Sequence, residues 1–269
     1  MILLATGTIK NFLNYLIYHD VVPEHRDNIN AARRTCDLAA TQLWDNQRFM
    51  AGGPGDFNKA ASILYGGYHY DPDANDGQWS HDELGSPRMN HKTALKVFKF
   101  ALACSGTDEQ ANTFTKLADA GELRAERVED IDGFEITEVI MPEQELRGFY
   151  DIHAPDLRVI GRLRGKVYRD PGGPQIDLAP GEKLDDTDLE FEFLVEEDLL
   201  RFCYPGMKVI TAIWQLNCGV YFFDQVMSAY CSFYTVLVND LMIGWKQPRE
   251  KGNEDGDDAD KNDSEQEDV

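Results

Sequence analysis

Arg158, Arg162, Arg164 and Lys166 are the most ordered set of charged side chains in this sequence, all at even positions of one alternating segment. Leu157, Val159, Gly161, Leu163, Gly165 and Val167 point the other way, with Ile160 as the exception. On an extended strand the cations form a row of about 25 Å that would suit phosphates or an acidic partner. A bland reading competes with it. Glu190, Glu192 and Glu196 alternate with Leu189, Phe191, Phe193 and Val195 in a second strand. Pairing the two strands would consume the cations in ion pairs of roughly 0.2–1 kcal/mol each, and this is the preferred reading.

Other constellations carry less chemistry. Asp71, Asp73 and Asn75 occupy the first three positions of a calcium loop, but Asp76 stands where glycine is required and Asp82 where glutamate is expected. A polar loop is the simpler account, with His69, His81 and His91 as surface or turn residues. Gly52-Gly53-Pro54-Gly55 precedes a helix but follows another helix and lacks a phosphate-binding lysine, so it too reads as a loop. His19-Asp20 fits a cap or an interhelical hydrogen bond better than catalysis. No nucleophile elbow, zinc-protease motif, Walker loop or dinucleotide fingerprint occurs. Carboxylates are too numerous for any pair to be singled out as acid and base.

Composition narrows the classes. Across 269 residues, 42% of them hydrophobic, 48 acidic and 26 basic side chains give a net charge of −22. Such a chain can bury a core, and it repels phosphate backbones at long range. Ten acids and two lysines between Glu250 and Val269 account for −8, leaving −14 on the rest. This tail reads as a disordered solubilising segment, or as a lure for a partner's basic groove. Cys36, Cys104, Cys203, Cys218 and Cys231 are scattered, odd in number and free of Cys-x-x-Cys pairs, which predicts reduced core thiols. MILLATGTIK has neither the basic start nor the apolar run of a signal peptide. Polar residues interrupt the apolar stretch from Val209 to Asn239, which reads as sheet core rather than a membrane span.

Helical spacing governs the first half. Thr8 is placed to cap a helix whose Ile9, Phe12, Leu13, Leu16 and Ile17 face a core. Pro23 opens a second helix with Ile29, Ala32, Cys36, Ala39 and Leu43 on one face, completing an αα-hairpin. A third helix starts with Asp56 as cap and runs through Phe57, Ala60, Ala61 and Leu64. A fourth carries Ala94, Val97, Phe98 and Ala101. Thr107-Asp108-Glu109-Gln110 is a capping box, followed by Ala111, Phe114, Leu117 and Ala118 and stopped by Gly121. Strands are expected around the basic and acidic segments and at 134–140, 208–214, 220–223 and 230–238. The fold class is therefore α+β: a helical region 1–121 packed on a mainly antiparallel sheet within 122–248, and a disordered acidic tail 249–269.

Three stretches carry a family resemblance. They are Asn11–Ala39, with Tyr15-Leu16-Ile17-Tyr18-His19-Asp20 and Pro23-Glu24-His25-Arg26; Pro54-Gly55-Asp56-Phe57; and Cys231-Ser232-Phe233-Tyr234 through Leu241-Met242-Ile243-Gly244-Trp245. Together they resemble the fungal Argonaute siRNA chaperone complex subunit that binds Argonaute, as distinct from its deacetylase-like partner subunit. That resemblance implies a non-enzymatic protein without cofactor, metal or catalytic residue. Its implied partners are Argonaute, the second subunit of the complex and, indirectly through Argonaute, duplex siRNA; no membrane is involved. Control of slicing or passenger-strand release, support of heterochromatic histone H3 lysine-9 methylation, and residence in nucleus and cytoplasm are implied with it. No contact residues are implied. The competing classes are a metal-dependent hydrolase built on Asp71 to Asp82 and a purely architectural linker.

Overall fold

Apolar residues at helical spacing, punctuated by prolines and glycines, carry the first half of the chain into helices. The computed structural model describes residues 1–70, 89–171 and 189–235. The Asp71–Asp82 stretch, most of the loop after Arg169, residues 236–248 and the acidic tail lie outside the described residues. Helices α1 (Ile2–Tyr18) and α2 (Arg26–Gly52) form the expected hairpin, with Pro23 opening a 3-10 turn, Pro23–His25, between them. Helix α3 (Asp56–Tyr65), α4 (His91–Ser105) and α5 (Asp108–Ala120) follow. The capping box is fully formed: Gln110 N–H donates to Thr107 Oγ1 and Thr107 N–H to Gln110 Oε1. Gly121 ends α5 in the left-handed conformation that glycine alone adopts freely.

Among the described residues eight strands make one sheet: β1 (Ala125–Arg127), β2 (Gly133–Ile140), β3 (Ile160–Tyr168), β4 (Glu190–Glu196), β5 (Lys208–Ile210), β6 (Ile213–Leu216), β7 (Tyr221–Phe223) and β8 (Ser228–Tyr230). Their order is β1-β6-β7-β4-β3-β2-β5-β8. Every pairing is antiparallel except β4 with β7. The fold is thus α+β, with helices packed on a mainly antiparallel sheet, and residues Met1–Tyr234 form one compact unit. Alternation along β4 divides its side chains between two cores. Leu194 joins Phe57, Phe98, Phe114 and Phe222 under α3, α4 and α5. Phe191, Phe193 and Val195 join Phe49, Phe134, Val209 and Phe223 on the other side.

Several expectations are corrected. Thr8 caps nothing: α1 begins six residues earlier, and the Thr8 hydroxyl donates to the Leu4 carbonyl one turn back. The α1 stripe does not face a core. Leu13, Leu16 and Ile17 are half-buried along α1, whereas Ile9 and Phe12 lie in solvent, because α1 packs mainly on α2, which covers only one side of it. Leu43 and Ala118 are likewise exposed. Asp56 is the first residue of α3, not its cap; Gly55 holds that position at φ 90° and has no side chain to offer. The expected strand 208–214 is broken at Thr211–Ala212 into β5 and β6, and within the described residues the strand expected from Tyr230 is Ser228–Tyr230. Two helices, α6 (Gln144–His153) and α7 (Glu197–Leu200), interrupt a region read as strands. Their shortness left little periodicity to detect.

Replacing Thr107 by Ala removes one reciprocal half of the box, and the expected cost is about 1 kcal/mol. Urea denaturation reads it directly: Thr107→Ser should retain most of the stability that Thr107→Ala loses, and equal behaviour of the two would show that the cap contributes nothing.

Candidate functional site

The four cations singled out by sequence are not equivalent. Arg158 lies before β3 and spans two acids, with Nε 3.4 Å from Asp56 and Nη1 3.2 Å from Asp198. Arg162 donates to the Ser105 carbonyl at the end of α4 (2.9 Å) and lies 3.4 Å from Glu192. Arg164 bridges Glu192 on β4 and Glu138 on β2, at 2.9 and 2.8 Å. Lys166 sits 3.7 Å from Glu135 on β2. Every member of the row therefore has an acidic neighbour, and β2 supplies partners as well as β4. Glu196, expected among those partners, takes no part.

Instead Glu196 is the most deeply placed carboxylate among the described residues, 1% exposed at the end of β4. Phe57 N–H donates to its Oε1 at 2.6 Å, so this carboxylate does for α3 what an N-cap side chain would. Gly55 lies against the same group: a Cβ there would collide with Glu196 Oε2, and φ 90° already favours glycine. Next to it, buried Asn58 donates to the carbonyls of Pro54 (3.2 Å) and Leu194 (3.0 Å) and accepts from Phe223 N–H (3.2 Å). These bonds tie α3 to β4 and β7 where the sheet switches to parallel pairing. Glu196 Oε2 has no hydrogen-bond partner. Burial pushes its carboxyl up to about 7, against the opposing pull of the Phe57 N–H. Its neighbour Glu197 moves the opposite way, held below the usual range by hydrogen bonds from Arg147 and Arg201. Nothing in Glu-Glu-Asp distinguishes the two in sequence.

A third feature is the outer face of the hairpin. Leu3, Leu4, Ile9, Phe12, Tyr15 and Tyr18 of α1 are exposed; Phe12 and Tyr15 are 59% and 55% accessible. On α2, Leu38, Leu43 and Trp44 are also exposed, with the Arg48 guanidinium 4.6 Å above the Trp44 ring. The hairpin is electrically neutral: Lys10, Arg26, Arg33, Arg34 and Arg48 balance Asp20, Glu24, Asp27, Asp37 and Asp45. The whole −22 of the chain therefore falls outside residues 1–52. An apolar, aromatic surface of no net charge on an acidic protein has the composition of a protein interface. The available signal was the apolar character of α1 on more than one side, with Leu3, Leu4, Tyr15 and Tyr18 off the assigned stripe.

Other reactive groups offer no constellation. The five cysteines are free, and burial pushes the thiols of Cys104, Cys203, Cys218 and Cys231 up, away from the thiolate a nucleophile needs. Among the described residues no cluster of three metal-ligating side chains occurs, and no helix is long and apolar enough to cross a membrane. The sequence model of the Argonaute siRNA chaperone (ARC) complex subunit Arb1 family matches residues 1–248. No curated protein and no solved structure matches the chain.

The Glu196 shift sets a pH dependence. Its carboxyl titrates near 4.5 when unfolded and near 7 when folded, so between these values the folded protein holds a proton that the unfolded chain has released. Its contribution to stability is therefore full below pH 4.5, falls as pH rises towards 7 and is flat above, a change of about 3 kcal/mol. Glu196→Gln keeps an acceptor for Phe57 N–H and should lack that slope. In urea titrations from pH 4.5 to 8 the variant should gain on the parent up to about pH 7; a constant difference would contradict the assignment.

Proposed function

This chain belongs to the Arb1 family of Argonaute siRNA chaperone (ARC) complex subunits, and from that premise we propose that it is a non-enzymatic subunit that docks on Argonaute through the outer face of its α1–α2 hairpin. The exposed, neutral, aromatic stripe carries this reading. Docked there, the protein restrains slicing or passenger-strand release from duplex siRNA, in RNA interference and in heterochromatin formation with histone H3 lysine-9 methylation. It works in the nucleus and cytoplasm with the second ARC subunit. Contact with siRNA runs through Argonaute, because a −22 chain repels phosphates and the β3 cations already face carboxylates. An acidic body beside Argonaute's basic guide channel would add steering that weakens with salt.

Binding of the full chain to Argonaute at near-physiological salt, with duplex-loaded and single-strand-loaded forms compared, tests the reading. Preference for the duplex-loaded form is expected, and no binding to either would sink it. Phe12→Asp with Tyr15→Asp, both solvent-exposed, should weaken binding about tenfold or more without lowering the melting temperature. Unchanged affinity in that variant would remove the hairpin from the interface. Reversing Arg164 and Lys166 should leave affinity nearly unaltered. A slicing assay separates regulator from linker: the regulator slows product formation, and a linker leaves it unchanged.

A further inference from the structure

A small cleft opens beside the N-terminus of α3, between α4, α6 and the segment leading into β3. It has a volume of about 120 Å³. Asp56, Asp156 and Arg158, all partly in solvent, stand at its mouth. Met89, Val97, Leu157 and Ile160 line it with carbon, the exposed Thr93 adds one hydroxyl-bearing side chain, and the buried Glu196 and Tyr150 close it. Two polar atoms among these inner residues are unsatisfied. Glu196 Oε2 has no partner, and Tyr150 Oη, beside Ser105, makes no well-formed hydrogen bond. A buried carboxylate oxygen without a partner is one that a well-placed donor would satisfy, the more so once the carboxyl is ionised.

Charge decides what kind of group. Around the cleft stand Asp56, Asp156, Asp198 and Glu196 against Arg158 and Lys96. Arg158 is held by Asp56 and Asp198, and Lys96 by Asp156 at the rim. With Glu196 ionised, two negative charges remain in excess, which calls for a cation. Carbon walls do not suit a hydrated divalent ion, which needs several converging oxygens. They do suit an aliphatic stem. At about 30 Å³ per water, the space holds roughly four water-sized groups, enough for an ammonium and the methylenes behind it.

We propose that this cleft binds a primary alkylammonium group, the tip of a lysine side chain or a small amine, with its N–H donors on Glu196 Oε2 and Tyr150 Oη and its stem between Val97, Leu157 and Ile160. This site is separate from the hairpin and stands whether or not the hairpin docks on Argonaute. Met89, Val97, Leu157 and Ile160 exclude water around the stem, and the excess negative charge of Asp198 and Glu196 draws the cation in. The ammonium binds the ionised carboxyl, so affinity should tighten about tenfold from pH 6 to pH 8 and bound amine should move the Glu196 titration to lower pH.

The experiment uses the full chain and n-butylammonium chloride, with tetramethylammonium chloride at equal ionic strength as the cation that cannot donate. Melting temperature and the side-chain ¹³C signal of Glu196 are followed at each concentration. A saturable rise in melting temperature with butylammonium alone, a Glu196 signal in the parent that shifts with it, and loss of the melting-temperature rise in folded Glu196→Gln are expected. Equal shifts with the two cations, or an undiminished effect in Glu196→Gln, would overturn the proposal and leave the cleft to solvent. Lysine blocked as amides at both backbone ends separates the two sources: binding at least as tight as butylammonium, abolished by Nε-acetylation, identifies a protein lysine, and binding of butylammonium alone identifies a free amine.

Discussion

One buried carboxylate joins the two halves of this protein. Glu196 leaves the last position of β4 and accepts the backbone N–H of Phe57 across 139 residues of sequence. Asn58, one residue further, fastens the same helix to β4 and β7. Helix α3 is short, its cap is a glycine, and its first turn would otherwise present unpaired N–H groups to a carbon-rich core. A charge under a helix N-terminus is attracted by the dipole but penalised by burial. The upward shift of the Glu196 carboxyl shows that burial dominates. The aromatic cluster of Phe57, Phe98 and Phe114, and the position of α4 and α5 above the sheet, depend on α3 being held there.

Charge is partitioned in a way that separates two kinds of surface. The cations of β3 lie in a lattice with acids from β2 and β4, and Arg162 also closes the C-terminal end of α4. These exposed pairs contribute little to stability individually, but they leave few cations to attract a phosphate backbone. The hairpin is the reverse case, neutral in sum and apolar on its outer side. Association driven by such a face is governed by area and fit rather than by the long-range field of the acidic remainder.

Local chemistry made much of the fold legible. The α5 capping box with its terminal glycine, the buried positions Ala94, Val97, Phe98 and Ala101 of α4, and the alternation in β3 and β4 all depend on neighbours within a few residues. Misreadings arose where a pattern met the wrong partner. Ile9 and Phe12 have helical spacing, but one neighbouring helix covers only one side of α1. Asp56 looks like a cap because aspartate is a good one, yet a carboxylate from β4 had taken that role.

Sequence alone determined the first five helices and the long central strands, the helical first half and strand-rich second half, the net charge and the resemblance that placed the chain among Argonaute siRNA chaperone subunits, because these are carried by residue identity and short-range spacing. Tertiary structure alone decided that Glu196 is buried while Glu197 is salt-bridged, that β2 shares the cations of β3, and which apolar side of α1 stays open. Each of those outcomes depends on a group far away in the chain, whose approach is set by packing and by the need to pair buried polar atoms rather than by any local pattern.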